Sequence, residues 1–145
     1  MGIWYRPPAI GEIESIRSLL AEWLQLQDSV IGTIVVGDLN VHHVRWLRFS
    51  TGISVEGSAL LNFCMQYGFK QMVNKSTRED NLLDLVLTDL PDILSTEVYN
   101  KIADHNRVRC QITFEIPEST PTSREVFIFK DASWDVISNE FQHFD

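Results

Sequence analysis

The chain has 145 residues, of which 44% are hydrophobic and 10% aromatic, so it can form the core of one domain. Its net charge of −8 argues against non-specific nucleic-acid binding, because that affinity comes from Lys and Arg neutralising phosphates. A metal-dependent phosphoesterase remains compatible, since its carboxylates hold a cation. The apolar runs, roughly 5 to 8 residues long, are far shorter than the ~20 needed for a membrane span.

The first half of the chain alternates between strand and helix patterns. Residues 3–6 are predicted to form a short strand that Pro7 ends. Apolar residues recur at helical spacing over 12–27 and 56–67, which predicts two amphipathic helices, the second ended by Gly68. The β-branched run over 31–36 predicts a buried strand between them.

The second half is richer in strands. Strands are predicted over 69–73, 82–88, 96–99 and 108–116, with a polar turn over 74–81. This order predicts an α/β fold with a mixed sheet. We expect one domain over residues 1–116. Residues 117–145 are expected to begin with a linker, followed by a strand over 126–129 and a helix over 133–144 capped by Ser133.

Asp38 and Asn40 directly follow the predicted strand 31–36, in Gly37-Asp38-Leu39-Asn40. The ends of strands in α/β folds are where functional side chains gather. A carboxylate and an amide there could hold a water and a phosphate oxygen. The alternative is a simple turn, because Asp and Asn both bond their own backbone.

Asp84 interrupts an apolar run, Leu82-Leu83-Asp84-Leu85-Val86-Leu87. A buried unpaired carboxylate is costly, so Asp84 needs a partner, and a histidine is a good candidate. The alternative places Asp84 on the solvated face of an alternating strand, together with Val86 and Thr88.

Asp104 and His105 supply a hard oxygen ligand and an imidazole side by side. Neighbouring residues in an extended chain point to opposite sides, so the two can address different partners. Mg²⁺ takes one or two carboxylates from a protein, which makes Asp104 a candidate ligand. A surface loop explains the same dipeptide.

Taken together and in order, these motifs form a pattern that also includes Tyr5-Arg6-Pro7-Pro8, His42-His43 with Trp46, and Asn81-Leu82-Leu83-Asp84-Leu85 after Ser76-Thr77-Arg78. The pattern resembles the endonuclease/exonuclease/phosphatase superfamily. It is most similar to the apurinic-type endonuclease domain of non-LTR (LINE-like) retrotransposons. The resemblance covers residues 3–116 and implies the C-terminal half of a DNase I-like, four-layer α/β sandwich.

The resemblance implies roles for the motif residues. Asp38 would orient or deprotonate the attacking water or assist the leaving group, and Asn40 would hold the phosphate. Asp84 would pair with His105, which would meet the scissile phosphate. Tyr5 would contact the phosphate in catalysis and substrate binding.

Further implied features concern the substrate and cofactor. Arg6 would help bind the substrate, and Asp104 would bind a Mg²⁺ or Mn²⁺ ion. The reaction would be phosphodiester hydrolysis that nicks target DNA, which in such an element exposes the 3′-hydroxyl that primes reverse transcription. A reverse transcriptase domain would be a partner in the full-length polypeptide.

The chain departs from the family pattern in two respects. No position matches the family's N-terminal Asn and metal-binding Glu, so we expect a truncated domain, weakly active or inactive alone. Ala103 stands where the family usually has Ser. The alternative function is a domesticated, non-catalytic protein-interaction module. The tail over 129–135 resembles the linker that leads to a reverse transcriptase. This tail and the histidine-tryptophan region at 42–46 disfavour a phosphatase for small or lipid substrates. The opening sequence predicts a nuclear or cytoplasmic protein that is not secreted and does not bind membranes.

Arginines at 45, 48, 78, 107 and 109 could flank a DNA groove, but solvated surface arginines are the preferred interpretation.

Overall fold

The computed structural model describes residues 1–8, 13–114, 130 and 132–142. The chain divides into two compact units, Met1–Phe114 and Glu115–Asp145. The linker and the strand predicted over 117–123 and 126–129 lie outside the described residues. No helix among the described residues is long and apolar enough to cross a membrane.

A mixed sheet lies at the centre of the first unit. Its order is β1 (Gly2–Ile3), β2 (Ile34–Asp38), β4 (Asp84–Thr88) and β3 (Lys70–Gln71). Strand β1 runs parallel to β2, whereas β4 is antiparallel to both of its neighbours. The predicted mixed sheet is therefore confirmed. The start predicted for β2 is wrong, because Ile31 is fully exposed and pairing begins at Ile34.

Gly37 allows two backbone segments to lie unusually close together. The amides of Trp4 and Arg6 donate to the carbonyls of Val36 and Asp38, at 2.9 Å each, and so extend the pairing beyond β1. A Cβ on Gly37 would lie 1.6 Å from the Trp4 carbonyl oxygen. The glycine therefore permits a close approach of the protein's own backbone.

Two helices supply much of the core. In α1 (Glu14–Leu26), the buried residues Ile16, Leu19 and Trp23 follow the helical period, whereas Leu24 is 42% exposed. Helix α2 (Val55–Tyr67) ends at Gly68, whose φ of 73° confirms the predicted cap. The two helices meet through the indole of Trp23, which lies 5.2 Å from the ring of Phe63.

A hairpin completes the first unit. Strands β5 (Leu94–Ile102) and β6 (His105–Ile112) pair antiparallel, and Ala103 turns between them with a φ of 60°. Strand β5 is longer than the predicted 96–99, because the residues on both sides also pair with β6, from Leu94 with Ile112 to Ile102 with His105. The hairpin packs Val98 and Val108 against the core, so its turn is held in place.

The second unit contains α3 (Trp134–Phe141) among its described residues. The helix confirms the prediction over 133–144 for residues 134–141, and residues 143 and 144 lie outside the described residues. Ser133 occupies the N-cap position, but its side chain makes no capping hydrogen bond, so that part of the prediction is wrong.

Candidate active site

Two aspartates face each other at one end of the central sheet. Asp38 ends β2, Asp84 begins β4, and the two are direct partners in the antiparallel ladder. Burial raises the pKa of Asp38, and the negative charge of Asp84 raises it further, while hydrogen bonding to Asn40 and the charge of His105 lower it. One carboxylate oxygen of Asp38, Oδ1, is buried without a hydrogen-bond partner among the described residues. These features suit Asp38 to accept a proton.

Asp84 and His105 form a hydrogen-bonded pair. The distance from His105 Nδ1 to Asp84 Oδ2 is 2.8 Å, and both side chains are about three-quarters buried, at 26% and 25% exposed. An aspartate on Nδ1 fixes the orientation of the ring and favours the tautomer that carries a proton on that nitrogen. The other ring nitrogen, Nε2, is then left to meet a substrate. The structure thus supplies the partner that the apolar surroundings of Asp84 require.

Thr77 holds both members of this pair in place. Its Oγ1 accepts hydrogen bonds from the amides of Leu83 and Asp84, at 3.0 Å each, and its carbonyl accepts one from the amide of Asn106 at 2.6 Å. The start of β4 and the start of β6 are therefore both bonded to one residue, which is fully buried. Sequence reasoning missed this role, because Thr77 lies in a polar stretch typical of turns.

Arg6 lies in the protein interior. Its side chain is 2% exposed and pairs with Glu56 of α2, with Nη2 and Oε1 3.0 Å apart. Its Nη1 donates to the Asn40 carbonyl at 3.0 Å, and the Asn40 amide donates back to the Arg6 carbonyl at 2.8 Å. The guanidinium therefore positions Asn40, which corrects the expectation that Arg6 contacts the substrate. Glu56 was not predicted, because an acidic residue in the first turn of a helix is common.

Asn40 adopts a left-handed backbone conformation, with φ 45°. This conformation is uncommon for residues other than glycine, although Asn tolerates it. The two reciprocal bonds to Arg6 hold it there and aim its side chain back toward the Asp38 end of β2. The backbone does turn at Asn40, as the alternative interpretation expected. The turn brings the Asn40 side chain close to Asp38 in the candidate site.

The other two predicted residues lie at the surface. Tyr5 is 66% exposed, next to Arg6. Asp104 sits in the hairpin turn, where its Oδ2 lies 3.0 Å from Nη2 of Arg78, and the two side chains are 65% and 42% exposed. Asp104 and His105 thus engage different partners.

The residues present do not by themselves fit a metal ion. Within the described part of the chain, no three His, Cys, Asp or Glu side chains converge as a cation site. Asp104 is paired with a guanidinium. Metal binding by Asp104 stays a prediction.

Comparison with known proteins shows the family to which this chain is related. The model of a family described as endonuclease-reverse transcriptase matches residues 2–109. The chain belongs to this endonuclease-reverse transcriptase family. Among solved structures, the fold is similar to the endonuclease domain of TRAS1, a telomere-specific non-LTR retrotransposon, with a TM-score of 0.62 and 17% identity. The similarity covers 78% of this chain and 57% of the TRAS1 domain, so the chain spans little more than half that domain. A search of curated proteins gave no match.

These findings confirm the family resemblance and the α/β class with a mixed sheet of the DNase I-like kind. The individual roles of the site residues are not tested by them. For this member of the endonuclease-reverse transcriptase family, the roles of Tyr5, Asp38, Asn40, Asp84 and His105 remain predictions.

Proposed function

We propose that this chain provides the Asp–His part of the site of a retrotransposon-type DNA endonuclease, which nicks target DNA by phosphodiester hydrolysis. The hydrogen bond between Asp84 and His105, with Asp38 on the facing strand, is the observation that carries the proposal. Membership of the endonuclease-reverse transcriptase family supports it. As in that family, a reverse transcriptase domain is the expected partner in the full-length polypeptide, and the 3′-hydroxyl of the nick would prime it.

The chemistry assigned to Asp38 follows from its environment. A water molecule attacks the phosphorus atom, a new P–O bond forms, and the bond from phosphorus to the 3′ oxygen breaks. Asp38 takes the proton of the attacking water and passes a proton to the departing oxygen. Burial and the charge of Asp84 raise the pKa of Asp38, which makes it a better base than an ordinary aspartate.

His105 stabilises charge on the phosphate. With Nδ1 bonded to Asp84, the ring presents Nε2 as a donor to a non-bridging oxygen when it is protonated. Asn40 and Tyr5 add phosphate contacts, and Asn40 depends on Arg6 for its position.

Mg²⁺ or Mn²⁺ is the cofactor expected for this chemistry, where it would stabilise the charge of the transition state. Asp104 is its proposed ligand from this chain. The described residues do not by themselves complete a site for this ion.

The test is nicking of supercoiled plasmid by the full chain with Mg²⁺, measured as conversion to the open circle. Asp84→Asn should sharply reduce nicking, because a neutral amide replaces the carboxylate that holds the His105 ring through Nδ1. Asp92→Asn is the matched control, since Asp92 is exposed and follows the opposite end of β4. His105→Ala should match Asp84→Asn. Equal nicking by Asp84→Asn and Asp92→Asn would refute the proposed role of the pair.

A second candidate is a non-catalytic protein-interaction module derived from this fold. The ion pair between Asp104 and Arg78 favours it, because that pair occupies the carboxylate proposed as a metal ligand. This candidate predicts no nicking with Mg²⁺ or Mn²⁺, even after Arg78→Ala frees the Asp104 carboxylate. Nicking that requires His105 would exclude it.

A further inference from the structure

The loop between β2 and α2 is tightly fixed by hydrogen bonds. The carbonyl of His43 accepts from the amides of Trp46 and Leu47, at 2.9 and 2.8 Å, and the amide of Val44 donates to Gly52 at 2.9 Å. Leu47 is 1% exposed and anchors the loop in the core. The conformation of the neighbouring residues is therefore set by the loop as a whole.

Two features of Phe49 in this loop are unfavourable, its backbone conformation and the exposure of its ring. Its φ is 59°, a left-handed value that is a true outlier for a bulky side chain. Its aromatic ring, moreover, is 47% exposed, so little of the strain is offset by burial. Strained residues of this kind occur at ligand-contacting positions, where the surrounding structure maintains them.

Phe49 lies at the same end of the sheet as the candidate active site. Its carbonyl accepts a hydrogen bond from the amide of Leu82 at 2.7 Å. Leu82 is two residues before Asp84, a separation of about 7 Å along an extended chain. A strand of nucleic acid bound at Asp84 and His105 would therefore pass within a few nucleotides of the Phe49 ring.

The charges beside Phe49 complement a phosphate backbone. Arg45 and Arg48 are exposed, and neither forms an ion pair with another described residue. These two cations stand on a chain whose net charge is −8. An exposed aromatic ring flanked by free arginines is the combination that binds single-stranded nucleic acid, with the ring on a base and the cations on phosphates.

We propose that Phe49 stacks on an unpaired or distorted nucleobase next to the cleaved bond, while Arg45 and Arg48 contact the adjoining phosphates. The inference rests on the proposed function for its ligand and adds a specificity-determining surface to it. Stacking would make cleavage favour sites where a base can leave the duplex stack. The strain at Phe49 is the structural cost of presenting the ring.

The test measures binding of the full chain to a single-stranded oligonucleotide that carries 2-aminopurine, in EDTA so that no cleavage occurs. Stacking quenches 2-aminopurine, and anisotropy of a second label gives the affinity. Phe49→Ala should weaken binding about 5- to 100-fold, the usual effect of losing one stacked base, and should remove the quenching. Phe49→Tyr should keep both.

Phe49→Gly separates binding from folding. Glycine adopts a φ of 59° without strain, so the thermal unfolding midpoint should not fall, while the affinity drops as for Phe49→Ala. Phe114→Ala is the matched control, because Phe114 is 64% exposed but follows the other end of β6 from His105. It should leave affinity and quenching unchanged.

Unchanged oligonucleotide affinity in Phe49→Ala would overturn the inference, as would an equal loss in Phe114→Ala or no binding by the unaltered chain. A change only in self-association of Phe49→Ala would overturn it in favour of a second copy as the occupant. Failure of the proposed function looks different: binding that depends on Phe49 would persist in EDTA, but plasmid nicking would be absent.

Discussion

Thr77→Val tests whether a single buried hydroxyl supports the Asp84–His105 pair. Valine has nearly the shape of threonine but cannot accept a hydrogen bond. The substitution therefore leaves the amides of Leu83 and Asp84 without their acceptor, in a place where Thr77 is fully buried. The carbonyl of Thr77, which accepts from Asn106, is unaffected.

The expected magnitude follows from these two bonds. Each lost bond costs about 1 kcal/mol, and up to about 3 kcal/mol where the donor stays buried and unpaired. The bond from Leu83 is buried and that from Asp84 only partly buried, so the upper figure applies to one of them, and Thr77→Val should lower the free energy of unfolding by about 2–4 kcal/mol. Thr77→Ser keeps the hydroxyl and loses one buried methyl group, which costs about 1 kcal/mol.

Urea denaturation followed by circular dichroism measures both variants. The NMR signal of the His105 ring is the second readout, since Thr77→Val should shift it by loosening Asp84, whereas Thr77→Ser should not. If Thr77→Ser proves more destabilising than Thr77→Val, methyl packing and not the hydroxyl is what matters, and the positioning role of Thr77 fails.

Three further predictions concern stability. Arg6→Met should destabilise by about 3–5 kcal/mol in urea denaturation, because it removes the guanidinium that pairs with the buried carboxylate of Glu56. Adding Glu56→Leu should recover part of the loss, and no recovery would contradict this. Asp38→Asn should stabilise the fold at pH 7 by about 0.5–1 kcal/mol after solvent screening, because the folded-state pKa of Asp38 is raised. The native carboxyl therefore contributes stability only when it is protonated. In thermal melts, the higher midpoint of Asp38→Asn should disappear below about pH 4. A difference in midpoint that stays constant with pH would refute this. Gly68→Ala should cost about 1 kcal/mol by thermal melting, since the position needs a φ of 73°, and an unchanged midpoint would count against that strain.

Local patterns predicted the secondary structure well where one face of an element is buried. Helix α1 follows the spacing of Ile16, Leu19 and Trp23, and the cap at Gly68 follows from glycine's backbone freedom. The errors came at the ends of elements. Ile31 continues a β-branched run but is exposed, because the position of the partner strand and not the propensity of the run decides where pairing begins.

Sequence reasoning named the candidate site residues and the Asp84–His105 pair, but not the residues that hold them in position. A buried aspartate within an apolar run needs a partner, and a histidine was predicted as the partner of Asp84. Nothing in the spacing indicated that Arg6 would be buried against Glu56, 50 residues further along the chain. A charged residue beside a site motif suggests contact with a charged substrate, and only burial distinguishes that role from a structural one.

By itself, the sequence determined the fold class, through its alternation of strand and helix patterns. The order of Asp38, Asn40, Asp84, Asp104 and His105 determined the family resemblance, and the candidate chemistry is what that resemblance implies. Tertiary structure alone decided how those residues meet. Antiparallel pairing sets Asp38 opposite Asp84, and the hairpin turn brings His105 to Asp84 across 21 residues. Such contacts depend on strand register and packing between distant segments, which no local pattern encodes.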